Sequence, residues 1–207
     1  MITQINDLKK EIGSLVEQRI SDFEKVNSSN NSKWFSELCF CILTANTSAQ
    51  MGLKFQSLVG EKNFLNMPHA ELLHLLKSNG CRFHNMRAGF IVEARKFKDI
   101  KNIILKLQKE KSEREIRNWL AENVKGIGYK EASHFMRNVG FQNVAILDKH
   151  ILNLLVENNL LKEKPKLNKK TYQEIESMLD SLAKKAKLDH ARLDLYMWYM
   201  KTGKVLK

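Results

Sequence analysis

The sequence predicts an all-α fold of two helical lobes that enclose a cleft. Three observations support this prediction. Apolar residues recur at intervals of three and four along most of the chain, which is the period of an amphipathic helix. The 207 residues include only 9 glycines and 2 prolines, which is few for a sheet protein with many tight turns. Convincing alternation of apolar and polar residues, typical of a half-buried strand, is not found.

Four amphipathic segments predict helices in the first half of the chain. They cover residues 5–26, 34–43, 68–80 and 86–107. A polar stretch rich in Asn and Ser, residues 27–32, separates the first two. Pro68 favours the start of the third helix, and Gly80 favours its end.

The second half of the chain contains two short amphipathic segments joined by a glycine-containing turn. They predict a helix-hairpin-helix at about residues 114–139. Another helix is expected to begin near Asp148, and two more follow a lysine-rich loop around Pro165. The first helix is expected to pack back against one lobe. We therefore predict that residues 1–207 form a single unit of two interleaved lobes.

The chain is strongly basic. Lys and Arg number 35 against 23 Asp and Glu, which gives a net charge of +12. The electrostatic field of so large a positive charge attracts polyanions, and nucleic acid is the first candidate. No apolar stretch reaches the roughly 18 residues of a spanning helix, the start lacks the pattern of a secretory signal, and three cysteines form no disulfide framework. We therefore expect a cytoplasmic protein with no membrane partner.

The predicted hairpin centres on Gly126 and Gly128. Glycine allows the positive φ and the close approach that a tight connection needs. The second helix then begins with unpaired backbone N–H groups, which suit a phosphate oxygen, and Lys125 adds a positive charge. Because backbone donors make the contact, such a hairpin binds DNA with little regard to sequence. An ordinary helical corner is the alternative, but Lys130 and Asp148 nearby favour function.

Two motifs resemble a known family. Lys-Gly-Ile-Gly-Tyr-Lys at 125–130 and Leu-Asp-Lys-His at 147–150 are similar to those of the endonuclease III superfamily of helix-hairpin-helix DNA glycosylases. The resemblance extends from about Trp34 onward. It implies that Lys130 is the nucleophile of a bifunctional glycosylase and abasic-site (AP) lyase, and that Asp148 is its catalytic carboxylate. It also implies that His150 contacts a phosphate, although a surface histidine would look the same.

The chemistry of base excision explains these two residue types. A carboxylate such as Asp148 can stabilise the positive charge that develops on the sugar. A lysine amine can attack the sugar carbon and form a Schiff base, which permits β-elimination. Lys130 is therefore expected to lie in a partly desolvated or cation-influenced site. Asp148 also has the position of a helix N-cap, which is compatible with catalysis.

Within the superfamily, the chain most resembles the type-2 8-oxoguanine glycosylase/lyases. The four-cysteine cluster that holds iron and sulfur in endonuclease III is absent, because no cysteine follows Cys81. The resemblance implies that Asn46 contacts the orphaned cytosine. The DNA contacts implied in a second loop are Arg82, Phe83 and Arg87, and Met86 is assigned to base recognition.

The end of the chain implies a reader of the damaged base. Type-2 enzymes typically end in a lysine after an aromatic helix, and here Trp198 is followed at the end by Lys207. Gly203 can end the last helix and turn the tail toward a pocket. Lys207 and its terminal carboxylate then offer donors and acceptors to a base edge, while Trp198 stacks on its face or packs in the core.

The expected substrate is double-stranded DNA containing 8-oxoguanine. We expect a monomer with no cofactor and no metal ion in the reaction, although the hairpin backbone could hold a monovalent cation. Two alternatives stay open on the sequence alone. The enzyme could instead excise oxidised pyrimidines, or the chain could be a non-catalytic helix-hairpin-helix DNA-binding module.

Overall fold

The computed structural model describes residues 1–45 and 47–207, and within them it contains helices and no strands. The twelve α-helices of these residues are α1 Ile2–Ser28, α2 Asn31–Thr44, α3 Ala49–Val59, α4 Glu61–Asn66, α5 His69–Ser78, α6 His84–Ala94, α7 Ile100–Leu107, α8 Glu113–Asn123, α9 Tyr129–Asn138, α10 Lys149–Glu157, α11 Lys169–Ala186 and α12 His190–Thr202. None of these helices combines the length and the apolar character needed to cross a membrane. The predicted all-α fold class is confirmed.

Short polar side chains define where several helices begin. At α8, the Ser112 hydroxyl accepts a hydrogen bond from the Glu115 N–H, while the Glu115 carboxylate accepts one from the Ser112 N–H. Asp148 caps α10 and Asn168 caps α11. Such caps satisfy N–H groups that the helix itself leaves unpaired. The starts of these helices are therefore determined by local sequence.

Buried side chains form two clusters, one for each lobe. Helices α2–α9 surround the first cluster, which includes Trp34 and Phe40. Helices α10–α12 and α1 surround the second, which includes Val16 and Leu155. Because α1 packs against α11 and α12, the first helix joins the lobe built by the end of the chain, as expected. Lys130 in the first turn of α9 and Asp148 at the start of α10 line one cleft.

The predicted continuous helix at residues 86–107 is wrong, because α6 and α7 are separate helices. A 3-10 turn, Arg95–Phe97, lies between them. The Arg95 guanidinium donates to the Phe64 carbonyl over 2.9 Å, and the Lys101 N–H at the start of α7 donates to Asn31 Oδ1 over 2.9 Å. These bonds stabilise the break from distant parts of the chain, so periodicity could not reveal it.

Helices α3 and α4 lie between residues 43 and 68, where the sequence pattern predicted no helix. They pack against α2, whose residues 34–44 are all buried. A helix that is buried on every face needs neighbours on every side, and α3 and α4 supply part of that cover. Their packing also places the loop after α2 at the edge of the cleft.

Candidate active site

The hairpin between α8 and α9 has the expected backbone at only one of its two glycines. Gly126 has a φ of +84°, and a Cβ built there would lie 2.4 Å from Phe90 Cδ2. Gly128 has a φ of −96° and a ψ of −174°, an extended conformation open to any residue, so the positive φ that the connection needs is supplied by Gly126 alone. Gly128 is instead the N-cap of α9. It provides no side-chain cap, which leaves the first N–H groups of α9 available for a phosphate.

Lys125 extends from the hairpin into solvent. Its side chain is 62% exposed, and its Nζ lies 3.2 Å from Glu93 Oε2. An exposed ion pair of this kind contributes little to stability. The ammonium group can therefore leave the Glu93 carboxylate and bind a phosphate at a small cost in free energy.

Replacing Gly126 by alanine is expected to disrupt the hairpin. The positive φ and the contact with Phe90 should together lower the free energy of unfolding by about 1–3 kcal/mol. The altered hairpin should also bind DNA more weakly. Thermal unfolding and duplex binding by fluorescence anisotropy measure the two effects. Gly89→Ala is the matched control, because nothing lies within 4 Å of a Cβ built at that helical position. It should be neutral or gain about 1 kcal/mol; equal losses in both variants would contradict this account.

Asp148 is the N-cap of α10, as predicted. Its Oδ1 accepts hydrogen bonds from the N–H groups of His150 and Ile151, both over 2.8 Å. Its Oδ2 lies 3.3 Å from the indole Nε1 of Trp198, which donates to it. The carboxylate is therefore held in one orientation by two helices, α10 and α12.

A cleft of about 960 Å³ brings together six of the residues singled out from the sequence. They are Arg82, Lys130, Asp148, His150, Trp198 and Lys207. The Lys130 side chain is 24% exposed, and its Nζ lies 3.8 Å from Glu131 Oε1. The His150 ring meets the Trp198 ring edge-on, with centroids 6.1 Å apart. A partly buried amine and a fixed carboxylate thus share a cleft with an aromatic ring.

The cleft also contains polar groups that sequence reasoning missed. Arg137 and Asp194 form a buried ion pair between α9 and α12. Burial raises the pKa of the Asp194 carboxyl to about 6, against the opposing effect of Arg137. Burial, followed by the charges of Arg137 and Lys130, holds the pKa of His134 well below its usual value, so the ring is neutral. Arg137 and Asp194 are far apart in sequence, and no local signal could have paired them.

The loop before α6 presents a strained aromatic residue. Phe83 has a φ of +58°, in the left-handed region, and is 51% exposed. The Arg82 guanidinium lies 5.3 Å from its ring centroid, and Arg82 lines the cleft. Backbone strain of this kind is typical of functional sites. Met86 is also exposed, but it does not line the cleft, so its assignment to base recognition does not fit the structure.

Arg87 does not have the position expected of a DNA contact. Its side chain is buried, and its guanidinium donates to the carbonyls of Leu43 and Ala45. The hydrogen-bonding groups are thus used within the protein, and Arg87 joins α6 to the loop that follows α2. Asn46, which the resemblance assigns to the orphaned cytosine, lies outside the described residues.

The ammonium group of Lys207 also differs from expectation. It donates to Glu37 and Gln56, two residues that sequence reasoning missed. The amine is therefore not free to donate to a base edge, although Lys207 itself lines the cleft. No sequence signal marked Glu37, which lies within the apolar α2.

The cysteines are buried and free, and burial raises the pKa of the Cys39 thiol well above its usual value. These thiols are therefore poor metal ligands as they stand. In the part of the chain that the structure describes, no three His, Cys, Asp or Glu side chains are grouped so as to hold a metal ion.

Comparison with known proteins identifies close relatives. Residues 16–188 match the family model described as 8-oxoguanine DNA glycosylase. The chain is 48% identical to an 8-oxoguanine DNA glycosylase/AP lyase of Methanocaldococcus jannaschii, over 100% of this chain and 99% of the relative. The crystal structure of the Methanocaldococcus jannaschii enzyme with a 15mer DNA containing 8-oxoguanine is similar, with a TM-score of 0.95, 47% identity, and 100% and 99% of the two chains covered.

A second solved structure has the same fold. The 8-oxoguanine DNA glycosylase of Thermotoga maritima is 39% identical, with a TM-score of 0.92, and the match covers 100% of this chain and 98% of that one. Both the family model and the full-length relatives agree with the resemblance seen in the motifs around Lys130 and Asp148. The chain belongs to the 8-oxoguanine DNA glycosylase family.

Proposed function

We propose that this protein removes 8-oxoguanine from double-stranded DNA and then cleaves the strand at the abasic site through a Schiff base on Lys130. The observation that carries the proposal is the cleft in which Lys130 and Asp148, from two lobes, face the same space as Trp198. Relatives are named 8-oxoguanine DNA glycosylase/AP lyases, and one of them is 48% identical over the whole chain. Membership of this family favours the enzyme over the binding-module alternative.

DNA first binds through its backbone. The free N–H groups at the start of α9 and the ammonium of Lys125 contact phosphates without regard to sequence, and the net charge of +12 speeds the encounter. His150, beside Asp148 in the cleft, is a further phosphate contact. Phe83 is exposed in a strained conformation and enters the duplex as a wedge, supported by Arg82. Flipping the damaged nucleotide costs a few kcal/mol, which these contacts offset.

The reaction then follows from the two residues at the cleft. The Lys130 ammonium gives a proton to the departing base, and the amine attacks C1′ of the sugar as the N-glycosidic bond breaks and its electron pair leaves with the base. The Asp148 carboxylate, held by its two N–H donors, stabilises the positive charge on the sugar. Ring opening gives the Schiff base. Loss of a C2′ proton then expels the 3′ phosphate by β-elimination, and hydrolysis of the Schiff base regenerates the lysine.

Base recognition is assigned to the end of the chain. Trp198 presents an indole ring that is fixed by its bond to Asp148, and this ring stacks on the flipped base. Oxidation gives guanine an N7–H donor that normal guanine lacks. The main-chain oxygen of Lys207 is the acceptor that we assign to this donor, because the ammonium group of Lys207 has no acceptor atom and donates to Glu37 and Gln56.

Borohydride trapping tests the proposed function. The wild-type chain is expected to form a covalent adduct with a duplex that contains one 8-oxoguanine opposite cytosine. An unlabelled 8-oxoguanine duplex should compete, whereas a thymine glycol duplex should not. Preferential competition by thymine glycol would favour the oxidised-pyrimidine alternative. The absence of any adduct or excised base with either lesion would contradict the enzyme assignment.

We also propose that the protein acts as a monomer in the cytoplasm. Lys130, Asp148, Trp198 and Lys207 line one cleft of a single chain, which supports a complete catalytic site in the monomer. The relatives come from archaea and bacteria, in whose cells the DNA substrate lies in the cytoplasm.

A further inference from the structure

Glu37 is a buried acid in the middle of α2, at 1% relative exposure. A carboxylate in such surroundings is costly unless it is paired and hydrogen-bonded. Within residues 1–45 and 47–207, its ion-pair partner is Lys207, whose Nζ lies 2.7 Å from Oε1 and 3.0 Å from Oε2. The charge of a helix in the first lobe is therefore balanced by a residue that follows the last helix.

The site around this pair is complete on both sides. An ammonium group has three donors, and Lys207 finds a third acceptor in Gln56 Oε1 at 2.7 Å. Lys207 Nζ also lies 4.5 Å from the centroid of the Phe40 ring, which is a cation–π contact. The carboxylate in turn accepts from Gln56 Nε2 at 3.0 Å and from Asn138 Nδ2 at 3.1 Å. Every donor of the lysine and both oxygens of the acid are thus used.

The bond to Glu37 fixes one wall of the cleft. Gly203 ends α12 in the left-handed conformation and turns the chain back, and Leu206 and Lys207 then line the cleft. The Lys207 side chain spans from this wall to α2, in the opposite lobe. Because three acceptors hold the ammonium group, the main chain of Lys207 cannot move farther from α2 than one lysine side chain reaches.

We propose that Glu37, together with Gln56, is a positioning residue for base recognition, which holds Lys207 so that its main-chain oxygen faces the flipped base. This inference rests on the proposed function, in which that oxygen reads the N7–H of the lesion. Glu37 does not line the cleft, so it acts through Lys207 and not by contact with DNA.

The proposal separates the two activities of the enzyme. Excision of 8-oxoguanine requires the main-chain oxygen of Lys207 to contact the base. Cleavage of a preformed abasic site does not require this contact, because no base is present. A displacement of the reader by about 1 Å can cost on the order of 10²-fold in rate. Loss of Glu37 should therefore lower the ratio of base excision to abasic-site cleavage by about 10- to 100-fold.

Two variants test the Glu37–Lys207 ion pair, which we call the clamp, from its two sides. Glu37→Gln removes the negative charge. Lys207→Met removes the ammonium group and leaves the main chain and the number of residues unchanged. We expect each to lower the excision-to-lyase ratio, measured in single-turnover assays on 8-oxoguanine and abasic duplexes. The double variant, which leaves no unpaired charge, should be no worse than either single variant, because both remove one interaction.

Glu176→Gln is the control for a general loss of stability. Glu176 is another fully buried acid paired with an arginine, Arg117, at 2.8 Å, and its loss should lower the melting temperature without changing the ratio. Three results would each overturn the clamp: an unchanged ratio in Glu37→Gln, an unchanged ratio in Lys207→Met, or multiplied losses in the double variant. A wild-type chain that is inactive on 8-oxoguanine would instead overturn the proposed function itself.

Discussion

Replacing Lys130 by glutamine is expected to abolish the borohydride-trapped adduct and to lower strand cleavage by at least about 10³-fold, the scale on which loss of a nucleophile acts. The amide cannot form a Schiff base, and no other lysine occupies the same place in the first turn of α9. Because glutamine keeps the length and helix preference of the side chain, the fold and the hairpin should persist. Duplex affinity should therefore change little.

Lys170→Gln is the matched control for this experiment. Lys170 is the second residue of α11, as Lys130 is of α9, but its side chain is 87% exposed and lies outside the cleft. The control should form the adduct at the wild-type rate. An adduct that survives in Lys130→Gln would show that another amine is the nucleophile, and peptide mapping of the trapped complex would identify it.

Replacing Asp148 by asparagine is expected to lower 8-oxoguanine excision by about 10²- to 10³-fold, the effect of losing one preorganised electrostatic contact. Asparagine is an equally good N-cap, so α10 should keep its start and the melting temperature should change little. Single-turnover excision and thermal unfolding measure the two quantities. A large loss of stability with proportionate loss of activity would mean that Asp148 is a cap and nothing more.

Two variants isolate the role of the Asp148 charge. Asp189→Asn changes another N-cap, which accepts from the Arg192 N–H over 2.8 Å at the start of α12 and lies outside the cleft; its excision rate should match the wild type. Trp198→Phe removes the indole N–H that binds Asp148 Oδ2 while keeping an aromatic ring. Because Trp198 is also assigned to stack on the base, its loss of activity sets an upper limit on the part of the Asp148 effect that arises from a misplaced carboxylate.

The sequence was a good guide to chemistry that depends on local patterns. Asp148 precedes an apolar stripe in the position of an N-cap, and it caps α10. The turn at Gly126 needs a positive φ, which glycine supplies at no steric cost. The proposed nucleophile lies at a fixed spacing from the same hairpin. Each of these features is encoded within a few residues, so periodicity, caps and motifs were enough to predict them.

The sequence was a poor guide where a distant residue decides the outcome. Arg87 is of a residue type that often contacts DNA, yet its guanidinium donates to the carbonyls of Leu43 and Ala45. The segment 86–107 has the periodicity of one helix, yet bonds from other helices stabilise its division. In both cases a hydrogen bond across the fold outweighed a local preference, because buried polar groups must be satisfied wherever they lie.

By itself, the sequence determined the all-α class and the hairpin, and it singled out Lys130 and Asp148, which line the same cleft. Only the tertiary structure decided that Glu37 holds Lys207 and that Arg137 pairs with Asp194. The physical reason is the range of the forces involved. Helix periodicity and capping act over a few residues, whereas the pairing of buried charges depends on which groups share a region without water, and only the packing of the two lobes determines that.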